Sequence, residues 1–395
     1  MSRRVAFIHY PHSADNARLE TMPFALQTVR ALAKAGWQVD VFLWQKDITA
    51  LQGMGAAVEW RQPSIVGFPL PRFLRKKLAA LYCGMQGLAN ALTRRYRCVI
   101  GLGQFGGIVG RVMALASRCP LMYLNEELPS AWPQTLLTRL ERRALRRADL
   151  LVSPDASRNP QLLRELQLPP DTPTGVLYNL PVLAHTPPAI DWHERLGIPL
   201  GKQIVLHAGS VADWAQVPEV LATVPSWPEE VVLVLHSRSS FENDLYRRSL
   251  AHLDTPGRVF WSDAPMPEDE LHSLIASSLA CLGLYRVSSV NIELVGYSSG
   301  KIMRSLACGT PVIASAISSL RFVTEKALGV QVQHPAEIAR QLPKLIAERD
   351  EFSRRCVAFT NEEVTFDNAW NGICDQLSEI TSVDLRQASP SGGGQ

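Results

Sequence analysis

Four short stretches of the chain bring together residue types that could do chemistry. The first runs Tyr297-Ser298-Ser299-Gly300-Lys301-Ile302-Met303-Arg304 and leads into Ala307-Cys-Gly309-Thr-Pro311. Hydroxyls and a glycine at a helix start present free N–H groups to an anion. Lys301 falls in the first turn, where the helix dipole disfavours a cation. A bound phosphate explains that placement better than a solvated surface lysine does. The second stretch, Tyr123-Leu-Asn-Glu126-Glu127-Leu-Pro129, sets two adjacent carboxylates just past an apolar run. Either could serve as a general base, and an acidic pair stabilising the next helix start is the competing reading. The third, Gly101-Leu-Gly103-Gln-Phe-Gly106, matches the glycine fingerprint of a dinucleotide turn, with Glu126 and Glu127 about 20 residues further on. Small residues filling a tight strand–helix turn give the same pattern. The fourth, His207-Ala-Gly209-Ser210, closes an apolar run with a turn whose amides could meet a phosphate.

These stretches need elements to hold them. Apolar runs suited to buried strands occur at 5–10, 38–44, 56–60, 98–102, 121–124, 150–153 and 175–178. They resume at 203–208, 231–236, 258–261, 279–284, 311–314 and 330–332. Helical spreads separate them, at 19–35, 72–95, 108–117 and 134–147, then 217–224, 242–253, 268–277, 300–307, 336–348 and 362–380. This rhythm predicts α/β architecture with parallel sheets covered on both faces. Seven prolines within 169–199 interrupt it, which places a linker at about 180–190. Open parallel sheets bind ligands at the carboxyl ends of their strands, where all four stretches fall.

Composition narrows the function classes. A chain of 395 residues that is 46% hydrophobic and 19% charged is globular and too long for one core, which excludes wholesale disorder. The net charge of +3 hides a split: 23 Lys+Arg against 12 Asp+Glu over 1–185, and 17 against 25 thereafter. Seven cysteines with no CxxC pair read as reduced core thiols, not as a disulfide frame or zinc site. Neither a signal peptide nor a run of about 18 apolar residues is visible, so the cytosol is the expected compartment. Two cationic amphipathic stretches, 72–78 and 139–147, are open to two readings: a peripheral site on an anionic membrane surface, or an ordinary solvated basic face. Nucleic acid is not expected, because aromatic residues for base stacking are not interleaved there.

The order of these parts resembles glycosyltransferases of the GT-B fold, in the broad family-4-like group, over roughly residues 4–380. The residues that carry the resemblance are "Leu-Asn-Glu-Glu-Leu-Pro" with "Arg-Arg-Ala-Asp-Leu-Leu-Val-Ser-Pro", "Val-Leu-His-Ala-Gly-Ser", and "Ser-Ser-Gly-Lys-Ile-Met" with "Leu-Ala-Cys-Gly-Thr-Pro-Val-Ile". The resemblance implies two Rossmann-like domains facing across a cleft: an acceptor domain at 1–185 and a nucleotide-sugar domain at 186–360. A C-terminal helix at 361–386 crosses back to the first, and a disordered tail at 387–395 follows. It also implies a hexosyltransferase-type, metal-independent enzyme without a cofactor, using a nucleotide-diphospho-sugar donor and a glycan or lipid-linked acceptor. Donor-binding residues would be Lys301, Gly300, Ser299, Ser298, Tyr285, Gly209, Ser210, Arg238 and Arg304, and the catalytic carboxylates Glu127 and Glu126. Where many retaining members carry a pair of glutamates, this chain has Gly296 and Arg304. The Ser-Ser-x-Lys form with Tyr285 is similar to inverting glucuronosyltransferases of bacterial polysaccharide assembly, whose base aligns with Glu127. Two other classes remain: a nicotinamide-dependent oxidoreductase using Gly101, Gly103 and Gly106, and an inactive GT-B-like binding protein.

Overall fold

A computed structural model of the chain describes residues 3–9, 19, 22–43, 54, 57–61, 72–131, 134–183, 188–237, 244–263 and 265–387, with the backbone alone for 72–80 and 83. Contacts divide it into two compact units, Met1–Tyr178 with Phe366–Gln395, and Asn179–Thr365.

The first unit holds β1 (Arg4–His9), β2 (Gln38–Leu43), β3 (Val58–Arg61), β4 (Cys98–Leu102), β5 (Leu121–Leu124), β6 (Leu150–Ser153) and β7 (Thr174–Val176). They form one sheet in the order β3-β2-β1-β4-β5-β6-β7. The second unit holds β8 (Gln203–Ala208), β9 (Val231–His236), β10 (Val259–Ser262), β11 (Ala280–Gly283), β12 (Val312–Ser315) and β13 (Gly329–Val332), in the order β10-β9-β8-β11-β12-β13. All pairings are parallel, with Val5 opposite both Val39 and Cys98, and Val205 opposite Leu233 and Ala280. Such strands are buried on both faces, so they read as unbroken apolar runs. β9, Val-Val-Leu-Val-Leu-His, is buried throughout. Each expected strand is present, displaced by two residues at most. Strand order reverses between β1 and β4 and between β8 and β11, the places where open sheets take ligands.

The core of the first unit is closed by distant sequence. The helix Phe366–Thr381 contributes Phe366, Trp370, Ile373 and Leu377 to the cluster built on Val5, Phe7, Val39 and Ile100. The Trp37 indole N–H donates to the Leu385 carbonyl at 2.9 Å. Beneath β2, buried Asp40 meets the Arg4 guanidinium at 2.9 Å and that of Arg94 at 3.5 Å, and accepts from the Tyr96 hydroxyl at 2.6 Å. The core of the second unit packs Val205, Leu233 and Leu282 with Ile313, Ile338 and Phe352.

One helix corrects the expected glycine loop. It runs Gly103–Ser117 and begins directly after β4, not at residue 108. A Cβ on Gly101 would lie 2.4 Å from the Gly106 carbonyl oxygen, and one on Gly106 would lie 2.5 Å from that of Ile8. The glycines let the helix start press backbone to backbone on β4 and β1, a contact that outweighs their poor helix propensity. Helices Arg158–Leu166 and Arg349–Ala358 were not expected. No helix among the described residues is long and apolar enough to cross a membrane. Residues 388–395, most of the expected disordered tail, lie outside the described residues.

Candidate functional site

The reversal point of the second sheet gathers most of the expected donor residues. β8 ends in Gly209, whose φ of +152° suits glycine alone, and in exposed Ser210. β11 leads into Leu284 and Tyr285. The helix Gly300–Ala307 lies against β11 because Gly283 has no side chain: a Cβ there would meet Ile302 at 2.7 Å. Ser299 caps this helix, its Oγ accepting the Ile302 N–H at 3.3 Å, while the Tyr285 hydroxyl sits 2.5 Å from that same Oγ. Capping leaves the first amides of the helix, those of Gly300 and Lys301, as donors pointing out of its start. Ser298 precedes the cap; its carbonyl accepts from the Asn179 side-chain amide at 3.1 Å, and a Cβ on Gly300 would lie 3.2 Å from that amide nitrogen.

Lys301 is the electrostatic centre of this group. Its Nζ donates to the Leu284 carbonyl at 3.0 Å and lies 4.0 Å from the Tyr285 ring centroid and 5.3 Å from that of Trp214. The two rings stack at 5.9 Å. No carboxylate among the described residues forms an ion pair with it. Burial therefore pushes the ammonium down to about 7. The same buried charge acts on His207, which burial and Lys301 together hold down to about 3. Neutral His207 donates Nε2–H to the Ser210 carbonyl at 3.0 Å and fixes the turn after β8.

Two residues of this group escaped the sequence reading. Gln216 adopts a φ of +56°, and its side chain donates to the Tyr285 carbonyl at 2.8 Å and to Ser315 Oγ at 3.3 Å. Trp214 covers the Tyr285 ring. The only signal for either was an exposed tryptophan in a polar turn. Arg304 stands apart: its guanidinium pairs with Glu268 at 3.2 Å, on the side of the helix facing Glu268–Ser277. Arg238 lies outside the described residues. Trp261 packs over the buried guanidinium of Arg247, 4.6 Å from its ring centroid.

In the first unit, Glu126 and Glu127 follow β5. Burial, then the neighbouring Glu127 charge, pushes Glu126 up to about 8, with Arg158 opposing. Arg158, itself buried, donates to the Glu126 carbonyl at 3.2 Å, and the Asn125 amide donates to that of Glu127 at 2.8 Å. Glu126 Oε2 lies 3.8 Å from where a Cβ on Gly103 would stand. Behind them, buried Glu141 accepts from Gln104 at 2.8 Å and from the Tyr123 hydroxyl at 3.2 Å, and burial raises its pKa. The backbone contacts of Gly101 and Gly106 account for the glycine pattern without a dinucleotide.

Comparison with known proteins bears on the fold that carries these residues. Residues 22–179 match the glycosyl transferase 4-like domain. Searching curated protein sequences finds no match. Among solved structures, Anabaena HepE, crystallised with UDP and glucose, superposes with a TM-score of 0.72 at 16% identity, covering 95% of this chain and all (100%) of its own. Sucrose-phosphate synthase from Thermosynechococcus elongatus gives 0.67 at 18% identity, covering 95% and 98%. WaaG, a glycosyltransferase involved in lipopolysaccharide biosynthesis, gives 0.63 at 14%, covering 96% and 100%. At these identities the likeness establishes the fold. The chain has the two parallel-sheet α/β units of GT-B structures, and its first unit matches the glycosyl transferase 4-like domain.

Proposed function

We propose that the protein transfers a sugar from a nucleotide-diphospho-sugar to a hydroxyl acceptor, in the synthesis of a bacterial glycan. The observation that carries this reading is Lys301: a cation without a carboxylate partner among the described residues, at a helix start, at the reversal point of a parallel sheet. A diphosphate there would accept from the amides of Gly300 and Lys301 and draw a full proton onto Nζ. As the sugar–phosphate bond breaks, the leaving diphosphate gains charge, and these donors are already aimed at it. Protein groups would thus do the neutralising without a required divalent cation, and turnover in EDTA checks this.

The UDP and glucose bound by the Anabaena structure support a UDP-hexose as donor. Tyr285 and Trp214 fix Lys301 from the side, and Ser210 offers a turn amide, that of Gly209 being donated to the His236 carbonyl at 3.1 Å. Arg304 is spent on Glu268 and is assigned no donor contact. Glu127 is the base for the acceptor hydroxyl in an inverting reaction, or orients the acceptor in a retaining one. Glu126, neutral at pH 7, donates a hydrogen bond there instead of accepting a proton. Free thiols, with Cys98, Cys281, Cys356 and Cys374 buried and Cys119 and Cys308 half-buried, support a reducing, cytosolic setting.

Thermal-shift measurement with UDP-, GDP- and dTDP-sugars identifies the donor, and product analysis identifies the reaction. Lys301→Met should abolish transfer and hydrolysis while the protein stays folded. Undiminished turnover in that variant refutes the assignment. Stabilisation by NADH in place of any nucleotide sugar points to the oxidoreductase reading. Donor binding without turnover marks an inactive binding protein.

A further inference from the structure

Three helices of the first unit lie side by side: Arg72–Arg94, Gly103–Ser117 and Leu136–Leu145. The first pair meets closely where a Cβ on Gly87 would touch the Met113 sulfur at 2.7 Å. The second pair is joined by the Arg111 guanidinium donating to the Arg147 carbonyl at 3.0 Å. Their inner faces are packed, whereas their outer faces are apolar. On the first helix Leu81, Met85, Leu88 and Leu92 recur at helical spacing, with Leu81, Met85 and Leu92 more than 60% exposed. Val112 and Leu115 continue the patch on the middle helix, and Leu136, 72% exposed, and Leu140 extend it onto the third. Single exposed apolar residues are ordinary, but eight large ones on three adjacent helices of one unit are not.

The charge around this patch has one sign. No Asp or Glu occurs in the sequence between Glu59 and Glu126, and no carboxylate among the described residues pairs with Arg95, Arg111 or Arg118 of that span, whereas Arg94 is engaged by Asp40 and Glu59. The third helix adds Arg139, Arg142, Arg143 and Arg146, which with Leu136 and Leu140 line a groove of 340 Å³. Its one carboxylate, Glu141, is buried inward. No carboxylate among the described residues pairs with Arg139 or Arg143.

We infer that this three-helix face docks on an anionic lipid bilayer, its leucines entering the headgroup boundary and its arginines holding the lipid phosphates. Apolar area with cations of one sign is the complement of such a surface. A protein partner would need acidic residues set among apolar ones; a second copy would oppose arginines to arginines. The inference stands independently of the donor site, since it uses neither Lys301 nor Glu127.

Flotation of the full chain with vesicles of phosphatidylcholine, with and without phosphatidylglycerol, tests it. The protein should float with anionic vesicles at low salt, much less at high salt, and not with neutral ones. Arg139→Gln with Arg143→Gln should lower partitioning by roughly twenty- to thirtyfold. Met85→Ser with Leu92→Ser should remove the salt-resistant remainder. These sites are exposed, so both double variants should keep the thermal midpoint and the nucleotide-sugar hydrolysis of the parent in solution. Failure to float with anionic vesicles, equal flotation on neutral ones, or indifference to both double variants overturns the inference. So does a dimer, seen by light scattering, that Met85→Ser with Leu92→Ser separates into monomers that no longer float.

Discussion

Lys301 makes donor binding a proton-uptake reaction. In the free protein its ammonium is held down to about 7. Beside a diphosphate it should return toward the ordinary lysine value of about 10.4. At pH 8 roughly one free molecule in ten carries the charge, against nearly every bound one, so binding takes up about 0.9 proton; at pH 6 the figure is about 0.1. Affinity should fall about fivefold from pH 7 to 8 and about tenfold per unit above that. The diphosphate of a nucleotide sugar has no proton to lose in this window, so the dependence belongs to the protein. Titration calorimetry with UDP-glucose, in two buffers of different ionisation heat, reads the uptake directly. Lys301→Arg, always charged, should bind with flat pH dependence, and Lys301→Met should bind weakly with no uptake from this site. Negligible uptake by the parent protein at pH 8, or the same uptake in Lys301→Met, would refute the reasoning. The sign for stability runs the other way. The unfolded chain binds this proton more readily, so Lys301 lowers stability fully below pH 7, and the loss fades as pH rises toward the unfolded value. Lys301→Met should therefore melt higher than the parent at pH 7 without ligand.

Other expected outcomes are simpler. Ser299→Ala removes the cap of Gly300–Ala307 and the partner of the Tyr285 hydroxyl, and chemical denaturation should show a loss of about 1–2 kcal/mol together with weaker donor binding. Gly106→Ala forces a methyl onto the Ile8 carbonyl, and the cost of about 1–3 kcal/mol or more should appear as a lower thermal midpoint. Glu126, pushed up to about 8, holds its proton more tightly folded than unfolded, so its contribution to stability declines from pH 5 to 9; Glu126→Gln should flatten that slope in melting curves, and an unchanged slope would contradict the burial argument. Asp40→Asn leaves Arg4 and Arg94 with Glu59 as their remaining carboxylate and the Tyr96 hydroxyl facing a neutral amide, and denaturation should register a loss of about 1–3 kcal/mol.

The strands were legible because strands covered on both faces must be apolar end to end, as in Val231–His236. The start of Gly103–Ser117 was not. Glycine there signals a loop locally, and only the approach to Ile8 and Gly106 backbones explains its place in a helix. Arg158–Leu166 was hidden by an Asn-Pro at its start, although proline in a first turn costs little. In the candidate site, Lys301 announced itself by violating a local rule. Trp214 and Gln216 could not, because their roles exist only once the turn after β8 folds over Tyr285, about 70 residues away. Arg304 reads in sequence as a further cationic contact for the donor because its partner Glu268, 36 residues earlier, meets it only in the folded unit.

The helix Phe366–Thr381 closes the core of the first unit, and this has a consequence for biosynthesis. Phe366, Trp370, Ile373 and Leu377 must reach a sheet whose first strand begins at Arg4, and Trp37 waits for Leu385, 348 residues away. The second unit, continuous from Asn179 to Thr365, has all its strands available as soon as it emerges from the ribosome. The part synthesised first is thus completed only after the second unit, and until Phe366–Thr381 has emerged its open apolar face is exposed to chaperones and to misassembly.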